Sequence, residues 1–306
     1  MDYDVIIIGA GPGGLTAGIY AGRANLKTLI LEKEAIGGQI ALTEKVEDYP
    51  GFPEGINAQE LIKKFEEHAK KFGAEIVFEE AKEIIIDGKY RIVKTPYNEY
   101  KGKTIIVATG ARHKTLDIPG EKEFRGRGVS YCAICDGPFF KDKDIVVVGG
   151  GDTAILEAIY LTKFGKKVYI VHRRNKFRAS AKYVERAKEN KKIEFLLENI
   201  VKEIYGKNKV EGVILQNVKT KEEKNLSASA VFIFVGFTPN YEILKGIAEI
   251  DENGGVLTNE KMETNIPGIY AIGDVRSKSL RQIITSASDG AIAAMAAYEY
   301  IEENFK

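Results

Sequence analysis

Residues 4–9, Asp-Val-Ile-Ile-Ile-Gly, recur at an offset of 140 as residues 144–149, Asp-Ile-Val-Val-Val-Gly. Each run is short, apolar and β-branched without alternation, the pattern of a parallel strand buried on both faces. Glycines follow both runs: Gly9-Ala-Gly11-Pro12-Gly13-Gly14 in the first copy, Gly149-Gly-Gly151-Asp152-Thr153-Ala154 in the second. A helix-like segment comes next (residues 15–25 or 155–165), and a second apolar run closes each copy (28–32 or 168–172). No gap is needed anywhere in the alignment. Strand, Gly-rich turn, helix and strand together open a dinucleotide-binding fold, so the repeat predicts an α/β chain with two Rossmann-like domains.

The turn glycines have separate tasks in such a fold: a tight turn, close approach of backbone to a pyrophosphate, and helix–strand packing. Ala154 is small enough for the third. The N-terminus of the following helix offers free N–H groups and a positive dipole end to phosphates.

The end of the second strand decides which nucleotide each copy holds. Glu32 lies 23 residues after Gly9, where a carboxylate accepts hydrogen bonds from an adenosine ribose diol. The aligned residue is His172, followed by Arg173, Arg174 and, a little later, Arg178. An acid at this position would repel a 2′-phosphate, whereas guanidinium forks bind one bidentately. The first copy is therefore expected to hold an unphosphorylated dinucleotide and the second NADP(H). Two sites for two dinucleotides mean hydride transfer between cofactors.

Composition removes other classes. With 45 Lys+Arg against 44 Asp+Glu, the net charge of +1 argues against a nucleic-acid binder or a polybasic membrane-surface protein. A 44% hydrophobic content and 306 residues allow two real cores. No apolar run reaches the ~18 residues of a membrane span, and the acidic start, Asp2 and Asp4, does not suit a signal peptide. The reading is a soluble cytoplasmic protein.

The two cysteines sit together as Cys132-Ala-Ile-Cys135, and an isolated CxxC of this kind reads as redox or metal. Structural zinc wants four ligands. The three histidines, His68, His113 and His172, are scattered, so no metal is expected. Asp136, directly after the second cysteine, is either an acid/base for thiol chemistry or a helix N-cap.

Elsewhere, residues 59–72 have helical spacing, with His68 a solvated member, and 75–107 read as several strands. Strands end in small-residue turns at Ala108-Thr109-Gly110-Ala111 and Gly236-Phe-Thr-Pro-Asn240, and a third ends in Gly273-Asp274 before a long Ala-rich helix from Ile283. Asp274 there is either a turn residue or a ligand for a ribitol hydroxyl or pyrophosphate.

Taken together, the two fingerprints, the CxxC-Asp and His172-Arg-Arg-Asn-Lys-Phe-Arg178 resemble the low-molecular-weight thioredoxin reductases of bacteria and archaea, class II pyridine nucleotide-disulfide oxidoreductases. The likeness runs over essentially the whole chain and includes Gly37-Gly38-Gln39, Asp48-Tyr-Pro-Gly-Phe-Pro53, Gly273-Asp-Val275 and Arg281-Gln282. It implies FAD in the first domain and NADPH in the second. It also implies a split FAD domain, 1–113 with 243–306, around an inserted NADPH domain, 114–242, each a three-layer ββα sandwich.

The resemblance further assigns Gly9, Gly11, Pro12, Gly13, Gly14, Glu32, Gly38, Gln39, Asp48, Ala81, Thr109, Gly110, Gly273, Asp274, Arg281, Gln282 and Ile283 to FAD. It assigns Gly149, Gly151, Asp152, Thr153, Ala154, His172, Arg173, Arg174, Arg178 and Gly236 to NADPH. Cys132, Cys135 and Asp136 are its catalytic residues, a thioredoxin-like protein its partner, and a homodimer whose NADPH domain swings between half-reactions its expected form. Asp48 departs from the usual Asn. A dithiol oxidase on the same scaffold would keep the cysteines and use oxygen; an NADP(H)-sensing flavoprotein would bind without turnover.

Overall fold

The structure, a computed structural model, describes residues 2–42 and 45–305. The chain runs β1 (Asp2–Ile8), α1 (Pro12–Arg23), β2 (Thr28–Leu31), the short pair β3 (Lys45–Val46) and β4 (Ile56–Asn57), then α2 (Ala58–Lys71). Next come β5 (Glu75–Val77), β6 (Glu83–Asp87), β7 (Tyr90–Lys94), β8 (Glu99–Val107) and the connecting β9 (Ala111–His113). The middle of the chain holds β10 (Val129–Ser130), α3 (Ala133–Asp136), β11 (Asp144–Gly149), α4 (Asp152–Leu161), β12 (Lys167–His172), α5 (Ala181–Lys188), β13 (Ile193–Leu197), β14 (Asn199–Gly206), β15 (Val210–Asn217), β16 (Glu223–Ser227) and β17 (Ala230–Phe234). A second connector, β18 (Phe237–Pro239), leads to β19 (Ile269–Ala271) and α6 (Ile283–Asn304).

Two compact units result: Met1–Arg112 with Thr238–Lys306, and His113–Phe237. The crossings fall at 112/113 and 237/238, where the sequence suggested 113/114 and 242/243. The later one moves because residues 240–242 are fastened to the first unit. Asn240 Nδ2 donates to the Thr109 carbonyl at 2.8 Å, Thr109 Oγ1 donates to the Asn240 carbonyl at 2.7 Å, and Arg112 bridges Asn240 Oδ1 and Glu242.

The repeat persists as register. In the first unit β1 pairs with β2 as Val5↔Thr28 through Ile8↔Leu31; in the second β11 pairs with β12 as Ile145↔Val168 through Val148↔Val171. These are the same pairs shifted by 140 residues. Both central strands are covered on both faces, which is why they carry unbroken runs of Val and Ile with almost no exposure. Fully burying each such side chain contributes roughly 1.5–3 kcal/mol.

Both helices begin earlier than their apolar spacing suggests, at Pro12 and Asp152. The turn glycines and their neighbours themselves form the first helical turn, where no apolar periodicity marks them.

Each unit has a parallel sheet, in the order β5-β2-β1-β8 with β19 beside β8 in the first and β10-β17-β11-β12-β13 in the second. Antiparallel strands extend the first unit's sheet, β7 and β6 continuing from β8, and form a separate sheet, β14-β15-β16, in the second. In the first unit α1 and α6 cross so closely that a Cβ on Gly290 would overlap the Gly13 carbonyl oxygen. Asn57 caps α2 by accepting from the Gln59 and Glu60 N–H groups, and His68 on that helix is exposed. No helix among the described residues is long and apolar enough to cross a membrane.

Candidate functional site: two glycine cradles and a redox disulfide

In each unit the glycines divide by function. A Cβ on Gly14 would overlap the Gly9 carbonyl oxygen, and one on Gly9 would lie 2.5 Å from the Ala108 carbonyl oxygen. These two let helix and strands pack. Gly149 repeats this against Phe234 and Ala154, so Ala154 does take the packing place of the third glycine. Gly11 and Gly151 are different. Both are helix N-caps with extended backbone open to any residue (φ −75°, ψ −178°; φ −95°, ψ 178°), and a Cβ on either meets no atom within 4 Å. Among the described residues nothing excludes a side chain at either place. Open space over a helix N-terminus is the cradle that a pyrophosphate requires, so the residues of both units fit a dinucleotide.

The neighbours of the first cradle converge on it. Glu32, buried at the end of β2, accepts the Ala10 N–H through Oε2 and the Glu34 N–H through Oε1, both at 2.9 Å. Lone pairs remain on each oxygen for ribose hydroxyls. The Gly37 N–H donates to the Ala10 carbonyl, and Gly38, at φ +58°, lies beside Gly11. Gln39 follows in the turn Gly38–Leu42. Gly110, at φ +67°, also faces open space beyond Thr109.

Gly273 and Asp274 start a single 3-10 turn after β19. Burial raises the Asp274 carboxyl above its ordinary range, opposed by Lys278 and Arg281, and Ser286 donates to it at 3.3 Å. The Arg281 guanidinium donates to the carbonyls of Lys278 and Arg276. Gln282 is the N-cap of α6 in a capping box with Thr285, which accounts for its side chain, and Ile283 opens the helix. Ala81 packs against the core beside β6, and Asp48 is exposed on the loop after β3.

The second cradle is tied to its basic loop by other means. The Arg178 N–H donates to the Gly150 carbonyl at 2.8 Å, and Asp152 accepts the Ser180 N–H at 2.6 Å. Arg173, Arg174 and Arg178 are exposed, and among the described residues none of them forms an ion pair. Thr153 is exposed in the first turn of α4.

His172 is placed differently from its arginine neighbours. It is 8% exposed, stacks on Phe177, and lies so close to Gly150 that a Cβ there would overlap the imidazole. Burial lowers its pKa, opposed by the hydrogen bond with the Lys176 carbonyl, and the nearby arginines lower it further. Its place is beneath the basic loop. Gly236, at φ +113°, follows β17 and accepts the Lys114 N–H at 3.0 Å.

Cys132 and Cys135 form a disulfide with Cα atoms 5.4 Å apart. Cys132 is the N-cap of α3, and its sulfur accepts the Cys135 N–H at 3.1 Å. Asp136 closes α3 and stands at the N-cap position of the following turn Gly137–Phe140, to which its side chain makes no capping bond. Among the described residues no group of three or more His, Cys, Asp or Glu could hold a metal.

Sequence reasoning missed several residues around these sites. Buried Asp289 accepts the Gly273 N–H, Lys278 and Arg276, each at 2.9 Å, and so frames the Gly273–Asp274 turn. An acid on the apolar face of an Ala-rich helix was a readable signal. Asn240, Ser130, Glu121 and Tyr131 carried none, because their partners are distant in sequence or lie in loops.

Two dinucleotide cradles with a redox disulfide on the second unit define a nucleotide-dependent disulfide oxidoreductase. Residues 3–290 match the family model of the pyridine nucleotide-disulphide oxidoreductases, and the chain belongs to that family. A thioredoxin reductase of Bacillus subtilis (strain 168) is 51% identical over 98% of this chain and 95% of its own length. One from Peptoclostridium acidaminophilum is 44% identical over 99% and 98%. The crystal structure of thioredoxin reductase from Streptococcus pyogenes MGAS5005 superposes with a TM-score of 0.95 at 46% identity, covering 99% of both chains.

Proposed function

We infer that this chain is an NADPH-dependent thioredoxin-disulfide reductase with FAD as its resident cofactor. The observation that carries the reading is the Cys132–Cys135 disulfide in the same unit as the arginine-lined cradle. Bound in the two cradles, NADPH and FAD supply the two-electron chemistry that side chains lack.

The chain's own residues then act as follows. With the pair reduced, the Cys132 thiolate, supported by the Cys135 N–H, attacks one sulfur of the partner's disulfide. The partner's other sulfur leaves as a thiolate, and Asp136 is the acid that protonates it. The Cys135 thiolate then attacks the Cys132 sulfur of the mixed disulfide, which re-forms the Cys132–Cys135 bond and releases the partner's sulfur, leaving the partner a dithiol. Two electrons pass and no atom is left over. The assay is NADPH oxidation driven by a panel of thioredoxin-like proteins with insulin as final acceptor; no turnover with any of them would overturn the reading.

Glu32 organises the FAD site, and Arg173, Arg174 and Arg178 receive the 2′-phosphate of NADPH. Each charge-assisted contact contributes roughly 1.5–3 kcal/mol, and every ~1.4 kcal/mol is tenfold in affinity. Replacing all three arginines with Gln should raise the KM for NADPH about 10²–10³-fold after allowance for exposure and non-additivity. The KM for NADH should move only a few-fold, and FAD content should stay constant. Equal shifts for both nucleotides would make these arginines general surface charge.

The same reading gives a homodimer, supported by the apolar side chains Ile284, Ile292 and Met295 exposed along α6. Sedimentation equilibrium at micromolar concentration tests it. A dithiol that cycles through its reduced form suits a reducing compartment, which supports a cytoplasmic enzyme.

A further inference from the structure

The residue before the redox pair is held by an unusual anchor. Glu121 is 1% exposed, yet its carboxylate takes four hydrogen bonds: the Leu116 N–H to both oxygens at 3.0 Å, the Asp117 N–H at 2.8 Å, and Tyr131 Oη at 2.6 Å. The backbone donors come from its own loop; the tyrosine reaches in from the end of β10. The Tyr131 ring is further fixed by His113, stacked at 5.1 Å, and by the Arg125 guanidinium over it at 5.0 Å.

A well-packed apolar pair often serves stability as well as buried charge does, so a buried carboxylate is better understood as fixing a position. The position fixed here is that of Cys132. Val129 and Tyr131 pack into one apolar cluster, and the two-residue period of extended chain turns Ser130 and Cys132 the other way. Ser130 Oγ accepts the Cys132 N–H at 3.1 Å and donates to its carbonyl at 3.3 Å. The Cys132 sulfur then meets the Cys135 N–H.

We propose that Tyr131, clamped by Glu121, is a positioning residue that holds the Cys132 sulfur against the Cys135 N–H and so keeps it a thiolate in the reduced enzyme. A sulfur aligned with that N–H is stabilised as an anion; one displaced by a loosened β10 exit is not. Other titratable groups stand on the elements around α3: Asp136 on α3 itself, and Asp152, Glu157 and Tyr160 on α4, with none on β17 or on Gly137–Phe140. All of these, with Arg125, His113 and Asp117 around the ring, stay in place when only the Tyr131 hydroxyl is removed.

The test uses Tyr131→Phe and Glu121→Gln in the full-length protein, reduced with dithiothreitol and desalted. Alkylation by iodoacetamide is followed across pH, with peptide mapping to read Cys132 apart from Cys135. For Tyr131→Phe the midpoint of Cys132 alkylation should rise by about one pH unit, which slows alkylation at pH 7 about tenfold. Glu121→Gln should shift it the same way but less, and the double variant should not exceed the larger single effect by much. An unmoved midpoint in folded Tyr131→Phe would overturn the proposal, even if its melting temperature fell. If Tyr131→Phe does not fold, Glu121→Gln carries the same decision.

The functional arm rests on the thioredoxin reductase reading: thioredoxin-linked turnover should fall about tenfold at pH 7 while NADPH–ferricyanide turnover stays within twofold. The alkylation arm needs neither partner nor nucleotide. A wild-type protein inert toward thioredoxin would therefore sink the functional reading and leave this one to be judged by alkylation alone.

Discussion

Cys132→Ser is expected to reduce NADPH-driven thioredoxin reduction to background, a loss of at least about 10³-fold, as removal of a nucleophile does elsewhere. Reduction of the flavin by NADPH should survive, because both cradles are built without the cysteines. A serine hydroxyl has nearly the shape of the thiol, yet it is not appreciably ionised at neutral pH and cannot form a disulfide. Cys135→Ser should end turnover too, by a different route. Its Cys132 retains the Cys135-position N–H at 3.1 Å in the native geometry, so this variant should attack thioredoxin once and stop as a mixed disulfide. Non-reducing electrophoresis with mass spectrometry reads that adduct, and stopped-flow bleaching near the flavin absorbance maximum reads the first half-reaction. Loss of both half-reactions in a folded, FAD-loaded variant would contradict the order in which the disulfide follows the flavin. An adduct on Cys132→Ser instead of Cys135→Ser would reverse the roles of the two sulfurs.

What could be read from residues alone was whatever repeats or sits at fixed spacing. The offset of 140 survives in three dimensions because the strands it relates are central ones, buried on both sides and paired in the same register. The third strands do not keep it: Leu29↔Glu75 in the first unit corresponds to Tyr169↔Glu194 in the second. The connection before β5 carries α2 and two short strands, whereas that before β13 carries only α5, so the copies diverge once they leave the cradle. Glu32 and the arginine triad were legible because a strand end is a fixed distance from its glycine turn. His172 occupied the same slot and was grouped with the arginines; only packing shows its ring lying under Gly150. Glu121 and Asp289 are long-range buried carboxylates, and their roles depend on which backbone N–H groups the fold brings to them. No local pattern encodes that.

The sharpest separation of the two cradles comes from glycines whose conformations do not require glycine. Valine at Gly11 or Gly151 faces no clash within the protein, since both backbones are extended and both ideal Cβ positions are open to 4 Å. The stability of the apo-protein should therefore stay within a few degrees of wild type in either variant, the range of a ~1 kcal/mol change. Binding should not survive, because the branched side chain fills the space over the helix N-terminus where a pyrophosphate must approach the backbone. Gly11→Val should purify colourless, with FAD below about a tenth of stoichiometric, equivalent to more than ~1.4 kcal/mol of lost affinity. Gly151→Val should purify yellow with full FAD and fail to be bleached by NADPH, while dithionite still bleaches it. Gly14→Val is the control of opposite kind. Its Cβ would overlap the Gly9 carbonyl oxygen, so it should damage the fold itself and lower soluble yield and melting temperature together. Absorbance at purification, a melting curve of each apo-protein and an NADPH bleach distinguish the three. A Gly11→Val protein that comes off the column yellow at full stoichiometry would mean that the first cradle is not the FAD site, and the assignment of nucleotides to units would fall with it.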